Sequence, residues 1–150
     1  HVLLNGEDVS DAIRTPEIAY YASKVSAVPE VREFLLSTQR DMAKNGNILM
    51  DGRDIGTVIL PDAPVKIFLT ASSESRAERR YKELAEKGQQ VTMESVLHDI
   101  NERDRQDMNR AIAPLRQAED AVLLDTSALT LDESIEAVLR IIREKTEENK

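Results

Sequence analysis

A chain of 150 residues with 41% hydrophobic content is long enough for one ordinary domain, or a large piece of one, and too short for two independent cores. Its 28 acidic residues against 20 basic ones give a formal net charge of -8, a field that repels nucleic acid and anionic membranes but does not stop a few converging arginines from holding a small anion. The absence of cysteine removes disulfides and thiolate zinc sites and suits a reducing compartment, no apolar run approaches bilayer length, and residues 1–7 do not resemble a secretion signal, so a soluble, cytoplasmic protein is expected.

In chain order, Val2-Leu3-Leu4 before Asn5-Gly6 reads as a short strand entering a tight turn. A lone strand cannot satisfy its backbone groups, so its partner is expected upstream of His1. Thr15-Pro16-Glu17 starts a helix, with Thr15 as cap, proline at the first helical position and Glu17 at the positive end of the dipole; Ile18, Tyr21, Ala22 and Val25 then share a face. Pro29 opens a second helix with Val31, Phe34 and Leu35 apolar, ended by Asn45-Gly46. Ile48-Leu49-Met50, residues 65–69 and residues 121–124 are apolar without alternation, as strands buried on both faces are. Helical patterns follow over residues 73–87, stopped by Gly88, and from Thr92 to about Asn109 with Val96, Leu97 and Ile100 inward. The last runs from a Thr130-x-x-Glu133 capping box through Ile135, Val138, Leu139 and Ile142, with a charged tail over 145–150 expected to fray. Strands alternating with helices imply an α/β protein with a parallel, doubly wound sheet. Three such strands make a poor sheet, so strands are expected to be missing from the sequence.

Two charged clusters stand where chemistry could occur. Asp51-Gly52-Arg53-Asp54-Ile55-Gly56 follows an expected strand, at the edge where open parallel sheets bind ligands; Arg53 offers a fork for phosphate, and the aspartates could orient a cation, an arginine or an exocyclic amine. A plain polar turn is the competing reading. In Arg103-Asp104-Arg105-Gln106-Asp107-Met108-Asn109-Arg110, helical spacing puts Arg103, Asp107 and Arg110 on one face, two guanidinium groups bracketing a carboxylate; a solvated, salt-bridged helix competes, and Pro114 marks a boundary where a lid could move. Arg76, Arg79 and Arg80 share a face near Glu74 and Glu78, where surface pairing is the plainer reading and contact with a donor nucleotide the other. His1 and His98 have no partner at metal or triad spacing.

Taken together, Leu4-Asn5-Gly6-Glu7-Asp8-Val9-Ser10, Ile13-Arg14-Thr15, Asp51-Gly52-Arg53-Asp54-Ile55-Gly56-Thr57-Val58, Pro61-Asp62-Ala63-Pro64-Val65-Lys66-Ile67-Phe68-Leu69 and Arg103-Asp104 through Asn109-Arg110-Ala111-Ile112-Ala113-Pro114-Leu115 resemble bacterial cytidylate kinases over almost the whole chain. The resemblance implies a P-loop nucleoside monophosphate kinase fold, a parallel sheet with flanking helices. Residues 1–45 would form the acceptor region, including a small antiparallel sheet that takes residues 2–9, and residues 46–150 part of the core sheet with a lid over about 76–115. It further implies phosphoryl transfer from ATP, with Mg2+, to CMP or dCMP, and with the acidic charge noted above a cytoplasmic monomer that binds neither nucleic acid nor membrane is expected.

By the same resemblance Ser23, Arg32 and Asp54 read the cytosine, which presents an amino donor beside two acceptors. Arg53 and Arg103 meet the acceptor's phosphate and sugar, Asp107 the sugar hydroxyls and Arg110 the transferring phosphoryl group, so Arg53, Arg103 and Arg110 are the expected catalytic residues. Arg79 and Arg80 are the expected contacts to ATP, and Asp51 the position from which a carboxylate reaches magnesium-bound water. One departure is plain: G-x-x-x-x-G-K-[ST], whose amides and lysine hold ATP phosphates, occurs nowhere in residues 1–150. The P-loop strand and helix are therefore expected to be absent, and the 150 residues alone inactive. A kinase for UMP or another monophosphate, and a noncatalytic nucleotide-binding or structural fragment, are the alternatives.

Overall fold

The computed structural model describes residues 1–148 and divides into two compact units, His1–Leu49 and Met50–Lys150. The first unit opens on a hairpin. Strands β1 (Leu3–Leu4) and β2 (Glu7–Asp8) pair antiparallel, Leu3 opposite Asp8 and Leu4 opposite Glu7. Asn5 (φ 52) and Gly6 (φ 88) are both left-handed, the pair of positive φ values that a two-residue turn needs to match strand twist. The expectation that β1's partner lies upstream is thus corrected: the turn residues hand the strand a partner four residues later. His1 Nδ1 meets Asp8 Oδ2 at 2.6 Å, and the Val2 N–H donates to Ser10 Oγ at 2.8 Å, so side chains extend the short ladder.

Helix α1 (Pro16–Ser26) begins where Thr15 Oγ1 accepts from the Ile18 N–H at 3.2 Å. Helix α2 (Pro29–Lys44) again has proline at its start and ends as the Asn45 side-chain amide caps the Asp41 carbonyl at 2.9 Å. The apolar faces of these helices are not buried: Phe34 is 74% exposed, and no residue of this unit falls in the buried class among the described residues. Two units exist, but only the second has a core.

In that second unit, strands β3 (Ile67–Thr70) and β4 (Val122–Asp125) pair in parallel, Ile67 beside Val122 through Thr70 beside Asp125. Two helices fill the sequence between them, the long crossover that a parallel pair requires. Helix α3 (Ser73–Glu86) is capped by Ser72 Oγ and stops where Gly88 (φ 73) donates to the Ala85 carbonyl at 2.9 Å, a turn closed by the Gln89 N–H on the Leu84 carbonyl. Helix α4 (Met93–Asn109) starts from a reciprocal Thr92 and Ser95 box. The two helices pack through Ala77, Leu84 and Val96, with Val91, Leu97 and Ile100 around them. Helix α5 (Leu131–Glu148) begins on the expected capping box: the Thr130 N–H donates to Glu133 Oε2 at 2.8 Å and the Glu133 N–H to Thr130 Oγ1 at 3.3 Å. Residues 145–148 continue this helix; the final two residues of the tail expected to fray lie outside the described ones.

Two expectations about strands do not hold. Ile48-Leu49-Met50 forms no strand among the described residues, Leu49 being 90% exposed, because a strand exists only where a neighbour takes its backbone groups. Nor are the paired strands covered on both faces: Leu69 is 60% and Leu123 57% exposed among the described residues. The hydrophobic run specifies a doubly covered strand, and a two-stranded pair lacks the cover.

The core of the second unit rests on few side chains, so Leu84→Ala should cost about 2–4 kcal/mol in urea unfolding; a loss under about half a kcal/mol would show that α3 and α4 do not depend on this contact.

Candidate functional site

Past Met50 the chain runs through Asp51, Gly52 and Arg53 into a single π turn over Ile55–Ile59. The Asp54 carbonyl accepts from both the Val58 and Ile59 amides, and the Ile55 carbonyl from the Leu60 amide at 2.7 Å. Such turns are uncommon and concentrate at functional sites. Here the turn anchors the backbone next to Arg53 and Asp54 and buries Ile59. Beside it, Lys66, whose side chain is 8% exposed, donates to both Asp120 oxygens at 2.8 and 2.6 Å and to the Pro61 carbonyl. Its stem runs past Gly56. The pairing holds the Asp120 carboxyl below its ordinary range and ties together the approaches to β3 and β4.

From the other side comes the end of α4. Asp107, buried on the last turn, accepts from Arg53 Nε at 3.1 Å. Arg110 follows the helix in an extended conformation (φ -64, ψ 142), so it no longer shares the helical face of Arg103 and Asp107, as their spacing predicted. Its side chain, 15% exposed, turns inward: Nε donates to the Ala113 carbonyl, and Nη2 lies 3.4 Å from Asp54 Oδ1. That separation makes an ion pair without hydrogen-bond geometry, and Nη2 is buried with no hydrogen-bond partner. Asp54 is itself buried. Two consecutive residues of opposite charge, 53 and 54, are therefore crossed with two others, 107 and 110, across more than fifty positions of sequence.

Arg53 keeps its Nε on Asp107, while its side chain remains 42% exposed and its terminal nitrogens carry no bond among the described residues. That is a fork held at one edge and open at the other, the geometry that takes phosphate oxygens. Arg103 is exposed, with no hydrogen bond or ion pair among the described residues. The structure thus brings Arg53, Asp54, Asp107 and Arg110 together and does not tie Arg103 to them.

The remaining candidates lie elsewhere. Arg79 Nη2 donates to the Thr126 carbonyl, which places this arginine at the carboxyl end of the β3 and β4 pair, where Thr126 is buried and donates to the Thr70 carbonyl. Arg80 pairs with Glu83 at 2.8 Å on the surface of α3. Asp51 is exposed, and no three His, Cys, Asp or Glu side chains gather as metal ligands among the described residues. In the first unit, Ser23 is half-buried with its carbonyl accepting from Ser26 Oγ, and Arg32 Nη1 donates to the Ser26 carbonyl at 3.2 Å.

Three features escaped the sequence reading. Arg76 grips Asp104 with both terminal nitrogens and donates from Nε to the Ala71 carbonyl, which joins the start of α3 to α4; the Asp104 hydrogen bond holds the Arg76 guanidinium above its usual range. Surface pairing was expected there with Glu74 or Glu78, and only the folding of α3 onto α4 brings Asp104 near. Arg105 and Gln106 both engage Glu102, pulling its carboxyl from an ordinary 4.5 to about 2, with Arg105 the larger cause. The third is Ala113, at φ 50 a left-handed non-glycine residue, a conformation that costs roughly 1–3 kcal/mol. No local signal announced it, since the following Pro114 biases its predecessor toward extended backbone.

The cytidylate kinase family model matches residues 1–144. A cytidylate kinase of Thermosipho melanesiensis is 56% identical over 142 residues, covering 95% of this chain and 65% of the relative. Those of Caldicellulosiruptor saccharolyticus and Carboxydothermus hydrogenoformans are 53% and 50% identical, covering 93% and 97% of this chain and 62% and 66% of theirs. The chain thus spans a little under two-thirds of the length of the curated relatives it matches.

Removing Asp54 leaves a mostly buried guanidinium without its carboxylate, so Asp54→Ala should destabilise the chain by about 2–3 kcal/mol in urea unfolding, with part of the loss recovered in the double variant Asp54→Ala/Arg110→Leu; additive losses would mean the 3.4 Å pair carries no coupling. Because the folded carboxyl of Glu102 titrates below its free value, its pairing stabilises the chain fully above about pH 4.5 and is lost as pH falls toward 2. Glu102→Gln should therefore flatten the acid side of the stability-versus-pH curve in that window; an unchanged slope counts against the pairing.

Proposed function

Since the chain belongs to the cytidylate kinase family, we propose that the whole protein transfers a phosphoryl group from ATP to CMP or dCMP, giving ADP and CDP or dCDP. The observation that carries this reading is the crossed cluster of Arg53, Asp54, Asp107 and Arg110. Phosphoryl transfer asks for alignment and compensation of negative charge more than for covalent help, and two guanidinium groups already oriented by carboxylates supply both. Arg53 takes the acceptor's phosphate with its open edge. Arg110 takes the transferring group, Asp107 the sugar hydroxyls, and Arg103, exposed on α4, joins on the acceptor's phosphate and sugar. Asp54 receives the cytosine amine, and by the family resemblance Ser23 and Arg32 also read the base.

In this proposal residues 1–45 serve the acceptor, and residues 46–150 supply part of the core with the lid over about 76–115. The mutually packed helices α3 and α4 make a natural lid body, with the break after Asn109 as its edge. The open faces of β3 and β4 fit a P-loop nucleoside monophosphate kinase sheet that is larger than the two strands found here. Arg79, and with it Arg80, contacts ATP: Arg79 stands at the carboxyl ends of parallel strands, where such sheets bind ligands. Magnesium fits less well, because Asp51 stands exposed without companion ligands among the described residues, so no step is assigned to it; the ion accompanies ATP. The enzyme acts in the cytoplasm as a monomer. The 150 residues by themselves turn over nothing, as no G-x-x-x-x-G-K-[ST] loop is among them to hold ATP phosphates.

Calorimetry of the chain with CMP and with UMP tests the acceptor half of the proposal. Saturable CMP binding is expected, with a preference over UMP that Asp54→Ala reduces by about tenfold or more, since the amine loses its acceptor. A preference untouched by that substitution points to UMP or another monophosphate, and no binding of either points to a structural fragment. A coupled assay showing CDP formation by the 150 residues at ordinary kinase rates would overturn the claim of inactivity.

A further inference from the structure

Among the described residues only two that are not glycine have positive φ. Asn5 sits in a hairpin turn that calls for that conformation, and asparagine tolerates it. Ala113 has neither excuse. It lies beyond the position next to the helix end where left-handed residues ordinarily close a helix, and it stands immediately before Pro114, which disfavours helical conformations in its predecessor. Strain of this kind persists where the surroundings impose it, and its result is visible: the Ala113 carbonyl accepts from Arg110 Nε. Two residues on, the Leu115 N–H returns to the Asp107 carbonyl at 2.8 Å, closing the loop over the end of α4.

We propose that Ala113 is a positioning residue for Arg110. Its left-handed backbone aims a carbonyl at the Nε edge of the guanidinium, which fixes the plane of the group and leaves Nη2 facing Asp54. Without that carbonyl the side chain would be free to rotate about its last torsions, and Asp54 alone, at 3.4 Å and without hydrogen-bond geometry, does not lock it. The buried Nη2 that lacks a hydrogen-bond partner is then a donor aimed and held for an oxygen from outside the protein. The backbone shape at residue 113 thus decides how Arg110 is presented, although the alanine methyl itself need touch nothing.

The test begins with the exchange rate of the Arg110 Nε–H with water, followed by nuclear magnetic resonance in the 15N-labelled chain and assigned by its loss in Arg110→Lys. In the native chain this proton is expected to exchange at least about tenfold more slowly than that of Arg103, which is exposed and unbonded. Ala113→Gly, which adopts positive φ freely, should keep the slow exchange, whereas Ala113→Val, barred from that region by its branched side chain, should lose it. CMP affinity, the arm that rests on the function proposed above, should stay within about twofold for Ala113→Gly and fall about tenfold or more for Ala113→Val. Equal exchange at Arg110 and Arg103 in the native chain overturns the proposal whether or not the valine variant folds, and so does slow exchange retained in a folded Ala113→Val. If CMP fails to bind the native chain, the nucleotide reading falls while the exchange measurements still decide the role of Ala113.

Discussion

The crossed pairing of Arg53 with Asp107 and of Asp54 with Arg110 is the constraint on which the candidate site of the second unit depends. Each aspartate neutralises an arginine that comes from the other segment, so neither residues 53–54 nor the helix end can present its charges correctly alone. The two pairs differ in a way that matters. Arg53 is half in solvent and bonded at one edge, a pairing of modest energetic worth that leaves the fork accessible. Arg110 and Asp54 are mostly buried, where an unpaired charge is costly and orientation is strongly enforced. One pair therefore offers a group to the outside, and the other fixes the frame from which it is offered.

The frame is built from local irregularities more than from regular elements. A π turn places the amides of Val58 and Ile59 on one carbonyl of Asp54, α4 stops at Asn109, Arg110 goes extended, and Ala113 turns left-handed. The π turn and the left-handed alanine are each uncommon or unfavourable by themselves. Together they bring residues 54 and 110 within ion-pair range. Regular strand and helix could not do this, because helical spacing would have kept Arg110 on the face of Arg103, away from the position it takes.

What was legible in the sequence is what is decided locally. The caps at Thr15 and Thr130, the Asn5-Gly6 turn and the stop at Gly88 depend on residues within a few positions of one another, and the helices they bound appear where the pattern put them. The two charged segments that carry the site were also visible as motifs. Their partners were not: that Arg53 meets Asp107, that Arg76 meets Asp104 and not Glu74, and that Lys66 meets Asp120 are consequences of the tertiary arrangement. The strand expected at residues 48–50 failed for the same reason in reverse, since an apolar run states a preference for burial but cannot supply the neighbour that makes it a strand.

Net charge and local charge pull in opposite directions here, and their balance narrows the kind of ligand that fits. A formal charge of -8 spread over the chain opposes any polyanion that must lie along an extended surface, since each added phosphate meets the same repulsive field. A single small phosphate ester meets a different situation: within a screening length of about 8–10 Å the nearest groups dominate, and in the proposed function these are the open guanidinium edge of Arg53 and, buried in the same cluster, Arg110. Because Asp107 and Asp54 already neutralise these arginines in part, the attraction comes from directed hydrogen bonds more than from bulk positive charge. A cluster of that design discriminates by shape and by the number of oxygens delivered to fixed points, the requirement for holding one phosphate group in a defined orientation.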